Sequence, residues 1–85
     1  MPYIIQELRD KYLNILEDIQ NKGIENVGTL NYLVTMICGI YLTEQGERYK
    51  TYNDIVGTLE CAKLELYRRL IAPYEDKAIE RNGDL

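Results

Sequence analysis

The fold of this chain is decided by residues 30–42, which read Leu-Asn-Tyr-Leu-Val-Thr-Met-Ile-Cys-Gly-Ile-Tyr-Leu. The helical period puts apolar side chains around most of the circumference, at Leu30, Leu33, Val34, Met36, Ile37, Cys38, Ile40, Tyr41 and Leu42. The remaining strip carries Asn31, Thr35 and Gly39, four residues apart. A helix that is apolar almost all round has to be buried almost all round. Two other helices in an 85-residue chain cover only part of it, so we expect another copy of the chain to supply the missing cover.

The residues on either side of this stretch also follow a helical period, and none alternates like a strand over more than a few positions. We expect a first helix over residues 5–22 that ends at Gly23 and presents a narrow apolar seam to one partner helix. The second helix is expected over residues 30–45, with Thr29 as its N-cap and Gly46 as its end.

A third helix is expected to begin near residues 52–54, where Asn or Asp supplies a cap, and to reach residue 71 or 72. Pro73 has no N–H and should disrupt it, opening a short fourth helix that ends at Asn82-Gly83. The sequence therefore predicts one all-α domain over residues 1–85. We expect this domain to be a three-helix bundle with a short C-terminal fourth helix after Pro73. We also expect it to assemble as a homo-oligomer, either a dimer or a dimer of dimers.

Composition limits the classes of partner. The formal net charge is -4 and the pI is about 4.7, which disfavours general nucleic-acid binding but leaves room for a local anion pocket. All eight aromatic residues are Tyr, a residue that suits either the margin of a core or a half-wet interface or pocket. We find no leader peptide and no apolar run long enough to cross a membrane, so we expect a cytoplasmic protein.

The residues needed for common catalytic and metal sites are missing. The chain has no His, so it has no Ser-His or Cys-His arrangement and no common proton shuttle. Cys38 and Cys61 lack metal-type spacing, and we expect two buried thiols in a reducing cytosol, with a disulfide as the alternative. The six glycines are scattered and form no phosphate-binding loop. We therefore predict no enzyme, no metal and no cofactor.

The candidate ligand-binding residues lie towards the C-terminal end, at Lys63, Tyr67, Arg68, Arg69 and Tyr74. On a continuous helix Lys63, Tyr67 and Tyr74 share one flank with Glu60, at the border of the apolar stripe. One interpretation is that Lys63 lays its stem over apolar surface and that the arginines are solvated or in structural salt bridges. The other is that these residues frame a polar pocket between subunits.

The two arginines are expected to act separately. Arg68 and Arg69 leave the helix about 100° apart, so we do not expect both to face one ligand from the same helix. One is expected to pair with Glu65 or Glu75 while the other reaches across an interface. Arginine suits both tasks because its planar fork binds carboxylate or phosphate through two hydrogen bonds.

Recognisable short segments occur along nearly the whole chain, from a Met-Pro-Tyr-Ile start and Gly-Thr-Leu-Asn-Tyr at 28–32 to Gly-Thr-Leu-Glu-Cys-Ala-Lys at 57–63. The most specific part is a tail of Tyr-Arg-Arg at 67–69, Pro-Tyr-Glu-Asp at 73–76 and Asn-Gly-Asp at 82–84. With these segments the chain resembles a family of small uncharacterised bacteriophage and bacterial proteins. The resemblance brings no activity and no functional residue, but it implies a phage or prophage setting.

These observations support a non-enzymatic small helical binding protein. In the leading hypothesis it sequesters a nucleotide immune signal in an inter-subunit pocket, by analogy with small helical phage oligomers of that kind. The alternative is a structural or regulatory protein–protein interaction module that uses the apolar faces of helices 2 and 3. An enzyme ranks third.

Overall fold

The computed structural model describes residues 4–85 and shows helices joined by short connections. They are α1 (Gln6–Lys22), α2 (Val27–Gln45), α3 (Tyr49–Leu66) and α4 (Ala72–Asn82), with a π-helical turn (Tyr67–Ile71) between α3 and α4. No strand occurs among these residues, so the predicted all-α class with three main helices and a C-terminal fourth piece is confirmed. Residues 1–3, which belong to the Met-Pro-Tyr-Ile start, lie outside the described part.

The chain divides into two compact units, one ending at Tyr41 and the other covering Leu42–Leu85. The first contains α1 and most of α2, and the second contains α3, the π-helical turn and α4. The boundary lies inside α2. The expectation of a single domain over residues 1–85 stays a prediction.

Three glycines end helices, as the sequence predicts. Gly23, Gly46 and Gly83 have φ angles of 83°, 87° and 82°, a region that residues with a Cβ rarely adopt. Each glycine N–H donates a 2.8 Å hydrogen bond to the carbonyl four residues earlier, on Ile19, Leu42 and Ile79 respectively. The bond satisfies a carbonyl that has no partner inside the helix. The predicted ends of helices 1 and 2 are therefore confirmed.

The start of α2 differs from the prediction. The Thr29 N–H donates a 2.8 Å hydrogen bond to Oδ1 of Asn26, so Asn26 is the N-cap and Thr29 lies inside the first turn. The helix begins at Val27, three residues before the predicted start at residue 30. Asn and Thr are both favoured N-caps, with Asn the better of the two, and the backbone geometry here places Asn26 at the cap.

The start of α3 also lies earlier than predicted. The helix begins at Tyr49 after an extended Arg48, so the Asn-Asp pair expected to cap it lies within the helix. Asp54 instead forms an ion pair with Lys50 at 2.9 Å, one helical turn away. Arg48 donates from Nη2 to the carbonyl of Gln45 at 3.2 Å, which places a cation at the negative C-terminal end of α2.

A tyrosine in α3 is tied to the connection that precedes it. The Tyr52 phenol donates a hydrogen bond to the Glu47 carboxylate, and this bond raises the pKa of Tyr52 above its ordinary value of 10.0. Burial and the negative charge of Glu47 act in the same direction. The bond needs the protonated phenol, so it is present at neutral pH and is lost as pH rises through the raised pKa.

Pro73 does not end the helix, contrary to the sequence prediction. In a regular α-helix its ring would collide with the carbonyl of Arg69, and it cannot donate a hydrogen bond. The backbone widens into the π-helical turn just before it, where the Ala72 N–H bonds to the carbonyl of Tyr67 five residues earlier. Pro73 is then the second residue of α4, in the first turn, where proline is tolerated. The chain therefore continues from α3 into α4 without a loop.

The apolar side chains of the described residues remain largely in contact with water. No hydrophobic side chain is buried among the described residues, and the one buried residue there is Thr51, at 1% exposure. In α2 the side chains of Tyr32, Ile37 and Ile40 are 61%, 59% and 60% exposed. Fully burying such a side chain stabilises a fold by about 1.5–3 kcal/mol, and most of that contribution is not realised in a single chain.

We expect Asn26→Ala to lower the free energy of unfolding by about 1 kcal/mol, because the first turn of α2 loses the acceptor for the Thr29 N–H. Chemical denaturation followed by circular dichroism measures this. Thr29→Ala is the control and should have the smaller effect, since the Thr29 side chain does not cap the helix. A larger loss from Thr29→Ala than from Asn26→Ala contradicts the assignment.

Candidate functional site

The five candidate residues lie on three consecutive elements of the second unit. Lys63 belongs to α3, Tyr67, Arg68 and Arg69 to the π-helical turn, and Tyr74 to α4. All five are exposed. The candidate site is therefore an open surface and not an enclosed pocket within one chain.

Arg68 and Arg69 converge on a single carboxylate. Nη2 of Arg68 lies 2.9 Å from Oε1 of Glu65, and Nε of Arg69 donates to the same oxygen. The expectation that the two arginines act separately is wrong. Glu65 lies three and four residues before them, so its carboxylate sits between the two directions, and both long side chains bend towards it. Two cations on one carboxylate leave a net positive charge at this point.

Lys63 has a partner of its own on α3. Its Nζ lies 3.0 Å from Oε1 of Glu60, and the two side chains are 69% and 57% exposed. An ion pair this exposed contributes little to stability because water screens it. The geometry agrees with the interpretation in which the Lys63 ammonium stays in water, and it separates Lys63 from the arginine cluster.

The tyrosines do not complete either ion pair. Among the described residues, neither Tyr67 nor Tyr74 donates a hydrogen bond to Glu60 or accepts one from Lys63 or the arginines. The flank expected for Glu60, Lys63, Tyr67 and Tyr74 requires a continuous α-helix at 100° per residue. The π-helical turn advances less per residue and so interrupts that flank before Tyr74.

Tyr74 instead lines a shallow depression on α4 with residues that the sequence analysis did not select. The depression has a volume of about 370 Å³ and is formed by Tyr74, Lys77, Glu80 and Arg81. Neither Lys77 nor Arg81 has an ion pair with a described residue. The spacing of Tyr74, Lys77 and Arg81 by three and four residues was the available signal, because it puts them on one helical face.

Metal ligands, thiols and membrane-spanning helices can also be assessed over the described residues 4–85. These contain no group of three or more His, Cys, Asp or Glu side chains placed to hold a metal. Cys38 is half-buried and Cys61 is exposed, so the expectation of two buried thiols is wrong. None of the described helices has the length and apolar character required to span a bilayer.

Comparison with known proteins gives one match. The model of the family described as "Domain of unknown function (DUF6899)" matches residues 1–85. The chain belongs to the DUF6899 family. No curated protein and no solved structure matches it. The expected membership of an uncharacterised family is therefore confirmed for this DUF6899 protein, and its phage setting stays a prediction.

We expect Glu65→Gln to lower the thermal unfolding midpoint by more than Glu60→Gln does. Replacing Glu65 leaves two arginines side by side without their shared carboxylate, whereas replacing Glu60 affects one solvated lysine. Differential scanning calorimetry at low ionic strength measures both changes. Equal midpoints for the two variants would show that the arginine cluster contributes nothing to the fold.

Proposed function

We propose that this DUF6899 protein is a non-enzymatic helical binding protein, a structural or regulatory module that works through exposed apolar helix faces. The observation that carries this function is that no hydrophobic side chain is buried among the described residues. Large exposed apolar surfaces on soluble proteins mark interaction sites, because water-exposed apolar area is unfavourable and favours association.

The apolar surface is concentrated on two helices. Along α2, Glu44 is the only charged residue, and the large side chains of its central turns are exposed. Along α3, Val56, Leu59 and Leu66 are exposed as well. Both faces suit the packing of a further helix, in which apolar side chains of one helix fill the grooves of another.

The residue types support a protein that is not an enzyme. We also propose that it acts in the cytoplasm. The sequence has no His, so it has no Ser-His or Cys-His arrangement. The exposed Cys61 suits a reducing compartment, since an exposed thiol in an oxidising one would form disulfides.

Site-specific photo-crosslinking in cells that carry the gene tests the proposal. A photo-activatable residue at Ile40 in α2 or Val56 in α3 should give a covalent adduct with a protein, because these positions contact the partner. The same residue at Glu17, on the charged surface of α1, is the matched control and should give none. The proposal fails if Ile40 and Val56 give no protein adduct, or give no more than Glu17.

A second candidate function is capture of a small anionic nucleotide in a pocket completed by another chain, and the arginine cluster favours it. Two guanidinium groups share one carboxylate, so one positive charge remains for a phosphate. The exposed ring of Tyr67 lies next to them in sequence and offers a surface on which a base can stack. Lys63 and Tyr74, the other two candidate residues, lie apart from the arginine cluster.

A thermal-shift screen against cyclic dinucleotides and cyclic oligonucleotides tests this second function. A bound nucleotide should raise the unfolding midpoint, and the double change Arg68→Ala with Arg69→Ala should abolish the rise. Lys50→Ala, which removes a cation of α3 already paired with Asp54, is the control and should keep it. If no nucleotide raises the midpoint, this function is wrong. If Lys77→Ala with Arg81→Ala abolishes the rise and the Arg68–Arg69 change does not, the anion binds on α4 instead.

A further inference from the structure

We infer that the partner of the α2 face is a second copy of this chain, and that the chain completes its folding only when the two copies pair. The inference rests on the proposed binding function, since it names the occupant of the same apolar surface. Three observations carry it: the accessible surface area of the chain, the absence of charge along most of α2, and the glycine near its centre.

The exposed area is too large for a folded monomer. The chain of 9.9 kDa has an accessible surface of 7801 Å². A folded monomer of that mass exposes about 5200 Å², which leaves an excess of about 2600 Å² per chain. A stable interface of standard size buries about 800 Å² on each partner, and obligate interfaces bury about 1,000–2,500 Å² or more on each. The excess is therefore of the size that an obligate interface removes.

The fraction of surface buried on folding leads to the same conclusion. An unfolded chain of this mass exposes about 14,000 Å², so the observed 7801 Å² means that slightly less than half is removed from water. A 60-residue domain removes about 60% and is already marginal. One copy of this longer chain buries a smaller share than that, so its apolar contacts are insufficient for a stable monomer. Chains that bury too little apolar surface on their own often fold only together with a partner chain.

The distribution of charge makes α2 the surface on which a second copy can bind. The net charge is -4, so two copies repel each other over most of their surface. The α2 helix is free of charge from Val27 to Thr43, so two α2 helices can meet without placing carboxylates opposite each other. A second copy also has the same uncovered area, so one two-fold interface covers both.

Gly39 lies at the centre of α2, in the helix interior, where glycine is less favourable than alanine. A Cβ added at Gly39 would meet no atom within 4 Å, so packing inside the chain does not require glycine there. A closely approaching helix from another copy does require a small residue, because the distance between packed helices depends on the side chains at their contact. The uncharged surface around Gly39 is where that contact is expected.

The test begins with the purified full-length chain. Sedimentation equilibrium should give a multiple of the 9.9 kDa chain mass. The thermal unfolding midpoint, followed by circular dichroism, should rise across a hundred-fold increase in protein concentration, because unfolding releases separate chains. Two differently tagged versions, unfolded together and refolded, should co-purify.

Two variants of α2 locate the interface. Met36→Asp places a carboxylate in the middle of the helix, one turn from Gly39 on the same face, and should weaken pairing at least 100-fold, with loss of helix at micromolar concentration. Val27→Asp makes the same kind of change at the first residue of α2, which is more exposed, and should leave pairing within about three-fold of the wild type. Asp is favourable at that position because it lies at the positive end of the helix.

The outcomes separate the two proposals. A chain that sediments at 9.9 kDa, is helical and has a concentration-independent midpoint overturns the inference, as does equal weakening by both α2 variants. A second outcome is a purified chain that is monomeric and unfolded, with Ile40 crosslinked to a different protein in cells. That outcome also overturns the inference of a second copy, but it leaves the proposed function in place. Absence of any adduct at Ile40 and Val56 removes the proposed function itself.

Discussion

The structure depends on one constraint, the removal of apolar side chains from water. The α2 helix presents such side chains around nearly its whole circumference, and among the described residues none of them is buried by the chain itself. Helical hydrogen bonds and glycine ends shape each segment, but they contribute little net stability compared with burial. The functions proposed for this DUF6899 protein therefore depend on what covers α2.

The junction of α3 and α4 shows how backbone geometry changes a candidate site. Pro73 cannot fit a regular helix, and the chain absorbs it by widening the preceding turn. The widened turn contains Tyr67, Arg68 and Arg69. The chain therefore accommodates Pro73 within the segment that holds three of the five candidate residues. The candidate flank is divided as a result, with an arginine cluster on Glu65 and a separate face on α4 that carries Tyr74.

The prediction of elements was better than the prediction of their edges. The helical period and the glycines located the helices and the ends at Gly23 and Gly46, because these signals act within a few residues. The caps were less predictable, since Asn26 and Thr29 are both good cap residues and only the path of the backbone chooses between them. The shared pairing of Arg68 and Arg69 was missed because a fixed angle per residue ignores how far long side chains bend.

The sequence by itself determined the all-α class, the number of main helices, their glycine ends and the apolar character of α2, because period and backbone preference are local properties. Only the tertiary structure decided three further points: that the helix passes through Pro73, that two arginines share Glu65, and that one chain leaves its apolar side chains exposed. These depend on distances between atoms in three dimensions, and burial in particular is a property of the whole assembly of helices that no stretch of sequence contains.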